Sequence, residues 1–164
     1  MKKETYINLM EYIRKRKSLT RVIRILYTFL PVIMMVAYPF IVLLNAFDKI
    51  DHSFILSIVV PAVTLLGVIV MRKLINKPRP YEKYGVSSLI LKRKSGKSFP
   101  SNHCACGFVI AMSGFTVSTT LGFMLLPVAI LIALTRIFSG VHFISDTLAG
   151  SLIGIIAGLI FVFI

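Results

Sequence analysis

Apolar residues occur in long uncharged blocks along this chain, separated by short polar stretches. Residues 25–47 form a block of 23 residues without a charge, residues 53–71 form one of 19, and residues 104–135 form one of 32. A helix of about 20 apolar residues, rising about 1.5 Å per residue, crosses the roughly 30 Å hydrocarbon core of a bilayer. The first two blocks each predict one transmembrane helix. The third block is too long for one helix and predicts two, joined by a turn near residues 119–122.

A last apolar segment, from about residue 142 to residue 164, carries one charge, that of Asp146. The pattern therefore predicts an all-α integral membrane bundle of about five transmembrane helices. We expect residues 25–164 to form a single transmembrane domain, with a polar turn at residues 48–52 between the first two spans. Residues 72–100 contain nine basic residues together with helix-breaking Pro and Gly, and form the long loop of the domain.

The first 24 residues contain eight basic residues, together with four apolar ones at helical spacing (Tyr6, Leu9, Met10 and Ile13). This pattern is typical of an amphipathic helix that lies in the membrane interface. We therefore treat residues 1–24 as a basic interfacial arm that precedes the transmembrane domain.

Composition supports the membrane assignment and narrows the function. The chain is 57% hydrophobic and 15% charged, whereas globular domains are about 45–50% apolar and about 25% charged. Two Cys and three His are too few for a disulfide scaffold or a zinc cluster, and no cofactor is expected. The net charge of +13 lies outside the apolar blocks, which favours an anionic lipid surface over nucleic acid as its partner.

Three groups of polar residues stand at the ends of the predicted spans. Residues 72–80 close the second span and residues 99–103 open the third. Thr135 and Arg136 close the fourth span, while His142 and Asp146 open the fifth. Counting crossings places all three groups at the same face of the membrane. Ionisable residues in such positions are functional candidates, because charges at membrane depth are costly.

The residue types in these groups suit a phosphate ester. Guanidinium groups bind phosphate oxygens in pairs, and the N–H groups at a helix N-terminus accept an anion. His142 and Asp146 are four residues apart, so the carboxylate can accept the imidazole N–H and leave the other ring nitrogen as a nucleophile. His103 lies on another helix and can protonate the leaving oxygen, while nearby cations favour the neutral form of His142.

Small residues at a spacing of three or four continue from both histidine-bearing segments. Gly150, Gly154 and Gly158 follow Asp146, and a second stripe follows His103, made of Gly107, Ala111, Gly114 and Ser118. Such stripes let membrane helices approach closely, so we expect the helices that carry His103 and His142 to pack together. Cys104 and Cys106 are expected to be small buried thiols, and His52 to lie at the opposite face.

The motifs resemble those of the type-2 phosphatidic-acid phosphatase family, which shares its active site with vanadium haloperoxidases and bacterial acid phosphatases. That family's first motif is Lys, six residues, Arg-Pro, matched here by Arg79-Pro80 with Arg72 at the lysine position. Its second motif, Pro-Ser-Gly-His, appears as residues 100–103 with Asn102 in place of Gly. Its third, Ser-Arg, five residues, His, three residues, Asp, appears with Thr135 in place of Ser.

The resemblance implies a role for each matching residue. His142 would be the nucleophile that forms a phosphohistidine, His103 the general acid, and Asp146 the residue that orients His142. Phosphate would be held by five further residues: Arg72, Arg79, Ser101, Asn102 and Arg136. The family needs no metal, and its substrates include phosphatidic acid, phosphatidylglycerol phosphate and isoprenyl diphosphates. A relative that transfers the phosphoryl group to another alcohol would look the same in sequence.

Two other functions are open at this point. A noncatalytic small membrane transporter or anionic-lipid-binding protein could use the same polar residues as contacts, although a transporter favours polar groups near the bilayer midplane. Haloperoxidase activity is a further alternative, although those relatives are generally soluble. Replacing His142 separates the catalytic reading from the noncatalytic one.

The charges also predict an orientation in a bacterial-type plasma membrane. Eighteen of the 19 basic residues lie at the face that carries the polar groups, and Lys49 lies at the other face. Because positive residues near spans favour the cytoplasm, we expect the N-terminus and the catalytic face to be cytoplasmic. The family resemblance implies the opposite, since bacterial members mostly place the site outside the membrane.

Overall fold

The computed structural model describes residues 2–48, 52–90 and 95–163, and these residues form helices and turns without strands. The all-α prediction is therefore confirmed. The elements in chain order are α1 (Lys3–Lys15), α2 (Lys17–Asp48), α3 (His52–Ile75), α4 (Pro80–Tyr84), α5 (Asn102–Ser113), α6 (Thr119–Phe138) and α7 (Ile144–Gly158). Two short 3₁₀ turns follow α5 and α7, at Gly114–Thr116 and Leu159–Val162.

Within the described residues, five apolar helices form the bundle, and four of them are long and apolar enough to cross a membrane. These four are α2, α3, α6, and α7 with its 3₁₀ turn. The fifth, α5, has 12 residues, eight of them buried, and is about 18 Å long. It packs against α2, α3, α6 and α7, so its surroundings are mostly protein. The helical membrane bundle is thus as predicted. The sequence predicted a full third span, however, and the structure has the short central helix α5 in its place.

The glycine stripe of α7 explains how α5 and α7 come together. A Cβ added at Gly150 would lie 3.2 Å from the Cβ of Cys104 and closer still to the Ser101 carbonyl oxygen. At Gly154 an added Cβ would lie 2.8 Å from the Phe108 Cβ. The predicted close approach of α5 and α7 is confirmed, although His142 itself lies in the loop two residues before α7 begins. It depends on the absence of side chains along this face of α7.

The second stripe of small residues has a different partner from the one expected. An added Cβ at Gly107 would lie 3.5 Å from Ile132, and one at Gly114 would lie 3.2 Å from Gly122. Both of these neighbours belong to α6. The small residues of α5 therefore serve its packing against α6, while larger residues of α5 meet the glycines of α7.

Helix α1 lies against the loops at one end of the bundle. Tyr6 and Met10 are fully buried, and the Tyr6 hydroxyl lies 3.2 Å from both the Val86 and the Gly140 carbonyl oxygens. Gly140 has φ of 73°, and a Cβ there would lie 2.8 Å from the Tyr6 hydroxyl oxygen, so the site requires glycine. Burial raises the pKa of Tyr6 to about 12, which keeps it a neutral donor. The amphipathic helix is present as expected, and much of its apolar face packs on the chain's own loops.

Two further expectations concern the ends of the helices. Helix α1 ends at Lys15 and α2 begins at Lys17, so residues 17–24 of the predicted arm extend the first span. His52 begins α3 and is exposed, at the opposite end of that helix from Arg72. Most of the predicted turn between α2 and α3, residues 49–51, lies outside the described residues.

Candidate active site

Hydrogen bonds to backbone carbonyl oxygens join the three polar groups at one end of the bundle. The Ser101 N–H donates to the Asp146 carbonyl oxygen at 2.8 Å, which links the start of α5 to the first turn of α7. The Arg72 guanidinium donates to the Pro100 carbonyl oxygen at 3.1 Å, and the His142 N–H donates to the Arg136 carbonyl oxygen at 3.3 Å. Residues that are far apart in sequence therefore meet in the place where the crossing count put them.

A serine hydroxyl lies beside both His142 and Asp146. The Ser98 Oγ donates to Asp146 Oδ2 at 2.5 Å and lies 3.4 Å from His142 Nδ1. The direct distance from His142 Nδ1 to Asp146 Oδ2 is 3.8 Å, which is too long for a hydrogen bond. The direct imidazole–carboxylate hydrogen bond expected from the spacing is therefore replaced by a chain through Ser98. With Nδ1 protonated toward Ser98, Nε2 is the ring nitrogen left with a lone pair.

The carboxylate of Asp146 is fully buried and held by several donors. Lys77 Nζ lies 2.7 Å from Oδ1, and the Phe143 N–H donates to Oδ2 at 3.1 Å. The ammonium of Lys77 also lies 4.9 Å from the Phe143 ring centroid. Because an unpaired buried carboxylate is costly, these donors keep Asp146 ionised and fixed in position.

His142 lies in the loop between α6 and α7 and is buried, with 2% of its surface exposed. Burial lowers the pKa of His142 to about 4, since the charged imidazolium loses its hydration. The charges of Arg79 and Arg72 act in the same direction, and that of Asp146 acts against them. His142 is therefore neutral at physiological pH. The expected contribution of nearby cations is real, but burial is the larger cause.

Arg72 and Arg79 line a polar pocket of about 340 Å³, together with Ser95, Gly96 and Lys97. Arg79 is 4% exposed and donates through Nε to the Gly96 carbonyl oxygen at 3.2 Å. The loop is closed by Glu82, which accepts from the N–H groups of Arg79 and Gly96 at 3.0 Å each. The first motif and the residues before the second therefore share one pocket.

Three buried donor groups at this end of the bundle make no hydrogen bond within the described residues: one terminal nitrogen of Arg79, Nε of Arg136, and the Ser101 hydroxyl. Buried polar groups are nearly always paired, so unpaired ones call for an explanation. Two of these three groups carry positive charge. An anion is the kind of ligand that satisfies such groups.

The Arg136 guanidinium also contacts α2. Its central carbon lies 3.7 Å from the Tyr27 ring centroid, and one terminal nitrogen lies 3.4 Å from the Tyr27 carbonyl oxygen. It is near enough to Arg79 for the two charges to repel one another. This stacking on an aromatic ring is a contact that sequence spacing did not suggest.

Asn102 and His103 form the first turn of α5. The side chain of Asn102 is half-buried and accepts a contact of 3.9 Å from the Cys106 thiol, while His103 is more exposed. Cys104 is buried and Cys106 is half-buried, broadly as expected. Among the described residues, no group of three or more His, Cys, Asp and Glu side chains is placed to hold a metal ion.

Sequence reasoning missed Ser98, Lys77 and Lys97. Lys77 and Lys97 belong to a loop with nine basic residues, and nothing in their spacing distinguishes them from the others. Ser98 lies two residues before Pro100 and matches no part of the quoted motifs. Only the folded loop, where the Ser98 N–H donates to the Lys77 carbonyl oxygen at 2.9 Å, brings Ser98 and Lys77 to Asp146 and Lys97 to the polar pocket.

Comparison with known proteins agrees with this geometry. The family model of the PAP2 superfamily matches residues 52–164, which include all the motif residues. The chain belongs to the PAP2 superfamily. Among solved structures, LpxE of Aquifex aeolicus is 28% identical, with a TM-score of 0.69, covering 90% of this chain and 94% of that one.

A second PAP2 structure shows the same fold at lower identity. It is a transmembrane PAP2-type phosphatidylglycerolphosphate phosphatase from Bacillus subtilis, 20% identical, with a TM-score of 0.58, covering 96% of this chain and 90% of that one. A curated relative, bacitracin transport permease protein BcrC of Bacillus licheniformis, is 32% identical over 99 residues, or 60% of this chain. The matched part is 48% of that relative's length. The chain is thus an integral membrane protein with the fold of PAP2 phosphatases.

Proposed function

We propose that this protein is a lipid phosphate phosphatase that works through a phosphohistidine on His142. The observation that carries the proposal is the pairing of a buried neutral imidazole with unpaired cationic donors beside it. His142 is 2% exposed, and the Arg79 and Arg136 guanidinium groups each retain a buried N–H group without a partner. An oxyanion is the ligand that satisfies such donors.

The proposed reaction has two displacements at phosphorus. His142 Nε2 attacks the phosphorus, the bond to the alcohol oxygen of the lipid breaks, and His103 gives its proton to that oxygen. Water then attacks the phosphohistidine, gives a proton to His103, and releases inorganic phosphate and free His142. Asp146 and Ser98 hold the imidazole in position, because the carboxylate stabilises the positive charge that the ring gains during attack.

The phosphate is held by the residues that the motifs assign. Arg72 and Arg79 line the pocket, and Ser101 and Asn102 stand at the start of α5, where an anion is favoured. Arg136 completes the set from the end of α6. None of these groups requires a metal ion for the steps described.

The substrate class follows from the position of the pocket. Its residues lie where spanning helices end, so a phosphate can enter while its hydrocarbon tail stays in the bilayer. A transporter reading is less well supported, because the polar residues cluster at one end of the bundle and away from its middle. Phosphatidic acid, phosphatidylglycerol phosphate and isoprenyl mono- or diphosphates all fit this description, and a panel of these lipids would rank them.

The test compares two histidine variants. We expect His142→Asn to release no phosphate from phosphatidic acid above background and to show no labelled protein after base quenching with phosphate-labelled substrate. His52→Asn is the matched control, because His52 is exposed at the far end of α3, and it should keep both signals. Phosphate release by His142→Asn at the wild-type rate would contradict the proposal.

We further propose that the catalytic face is cytoplasmic. Helix α1 packs on the loop that carries Gly140, so the basic N-terminal arm and the active site share one face. The test is a single cysteine at the exposed Lys83, in a chain whose Cys104 and Cys106 are replaced by Ser. An impermeant thiol reagent should leave it unlabelled on intact cells and label it after lysis. Labelling of intact cells would reverse the assignment.

A further inference from the structure

A second cationic cavity lies beside the active site and shares no residue with the polar pocket. It has a volume of about 690 Å³ and is formed by α1, the first turns of α2 and the loop that follows α4. We call it the basic pocket and define it by Arg14, Lys17, Arg21 and Arg24. The remaining lining residues are Thr20, Ile25, Ser87, Ser88 and Leu89.

The charges of the basic pocket are concentrated and uncompensated. Lys17, Arg21 and Arg24 recur at helical spacing, so they share one face of α2, and Arg14 reaches this face from α1. No lining residue is acidic. Among the described residues, these three α2 side chains form no ion pair. All four side chains are exposed, so water screens part of their mutual repulsion, and an anion bound between them would relieve the rest.

Hydrogen bonds fix the wall of the cavity. Arg14 donates to the Ser87 carbonyl oxygen and to the Ser87 hydroxyl, the latter at 3.0 Å. The Leu89 N–H donates to the Ser139 carbonyl oxygen at 3.0 Å, which holds the wall to the catalytic end of the bundle. The Thr20 and Ser88 hydroxyls also line the cavity, and each donates to a backbone carbonyl oxygen.

The depth of the basic pocket indicates the kind of anion. The uncharged run of α2 begins at Ile25, directly after Arg24, so the cationic residues stand where the hydrocarbon core gives way to headgroups. Ile25 and Leu89 add apolar surface to the lining, and Ile25 is the first residue of the uncharged run. A ligand with a phosphate attached to a hydrocarbon chain fits both parts, whereas a free anion uses only one.

We propose that the basic pocket binds the phosphate group of an anionic membrane lipid, at a site separate from the catalytic pocket. The occupant is an anionic phospholipid that is bound and not consumed. The site would hold the first turns of α2 and the loop at residues 87–89 against anionic membrane. This inference does not depend on catalysis by His142.

The test measures binding of acyl-labelled phosphatidylglycerol in neutral detergent micelles, in a His142→Asn background so that the probe cannot be consumed. The triple variant Lys17→Gln, Arg21→Gln, Arg24→Gln should bind it roughly 100-fold more weakly, at about fivefold per removed charge. The control variant is Lys2→Gln, Lys3→Gln, Lys15→Gln. It removes the same charge from positions of the same arm that do not line the pocket, and it should bind within about threefold of its parent. Equal weakening of both variants would overturn the proposal.

Two further arms separate the site from its alternatives. With His142 present, the triple pocket variant should hydrolyse a water-soluble phosphomonoester, p-nitrophenyl phosphate, at the wild-type rate. A parallel loss of hydrolysis would assign these residues to the catalytic pocket and refute a separate site. Inorganic phosphate at millimolar concentration should leave the lipid bound, and full displacement would refute a lipid as the occupant. A wild-type chain that binds the lipid but hydrolyses nothing would contradict only the proposed function.

Discussion

Replacing Ser98 by Ala tests the arrangement of the active site most directly. Ser98 is fully buried, and its hydroxyl is the group that lies within 2.5 Å of Asp146 Oδ2 and 3.4 Å of His142 Nδ1. The variant removes one hydrogen bond to an ionised carboxylate and leaves the His142 ring without its neighbour on the Nδ1 side. Nothing else in the polar pocket is changed, because Ser98 does not line it.

The magnitude follows from the kind of hydrogen bond that is lost. Hydrogen bonds to charged groups contribute about 1.5–3 kcal/mol. If the whole of that energy orients His142 in the transition state, kcat falls roughly 10- to 150-fold, since about 1.36 kcal/mol corresponds to a factor of ten. KM should stay near the wild-type value, because the phosphate ligands are untouched.

The assay is phosphate release from a short-chain phosphatidic acid in detergent micelles, over a range of substrate concentrations. Ser113→Ala is the matched control, because Ser113 is equally buried and donates at 2.8 Å to the Ile110 carbonyl oxygen at the far end of α5. It should lower kcat by less than about twofold. If Ser98→Ala also keeps kcat within twofold of wild type, the serine does not position His142 and the reasoning fails.

Three other predictions concern stability, and thermal unfolding in detergent measures all of them. Gly154→Ala should lower the free energy of unfolding by about 1–3 kcal/mol, because the added Cβ meets α5 at 2.8 Å. Gly67→Ala is the control and should not lower it, because nothing lies within 4 Å of the added Cβ. Equal melting temperatures for the two variants would contradict the role of the glycine stripe. Tyr6→Phe should lower the free energy of unfolding by about 1–3 kcal/mol, because it leaves the buried Gly140 carbonyl oxygen without this donor. An unchanged melting temperature would contradict this prediction. Because the pKa of His142 is lowered to about 4 in the folded protein, the unfolded chain binds more protons between about pH 4 and pH 6.5. The free energy of unfolding should therefore fall by about 3 kcal/mol as the pH is lowered from about 6.5 to 4. His142→Asn should lose this part of the pH dependence, and an identical pH dependence in the variant would contradict the prediction.

The helices and their common functional end could be predicted because hydrocarbon excludes charge. Wherever a charged residue stands, a span must end or a bundle must enclose it, so Arg72, Arg136 and Asp146 marked the ends of helices. Counting the crossings between them then placed the three motifs at one face. The same reasoning predicted a full third span, and it was wrong in length because α5 is enclosed by other helices and need not reach across the lipid.

Details within the site could not be predicted, because they depend on distances between loops. A spacing of four residues places His142 and Asp146 near each other, but it cannot show that the folded chain separates them by 3.8 Å with Ser98 beside both. The stacking of Arg136 on Tyr27 joins residues 109 positions apart. No periodicity within a helix carries such information.

The sequence by itself determined the class of protein, the number of apolar helices and the end of the bundle where the polar motif residues meet, since these follow from the cost of putting charge into hydrocarbon. Tertiary structure alone decided that Ser98 and Lys77 hold Asp146, that the glycines of α7 admit α5, and that α1 packs on the loop before His142. These are contacts between distant segments, and each depends on ångström-scale packing that sequence pattern does not encode.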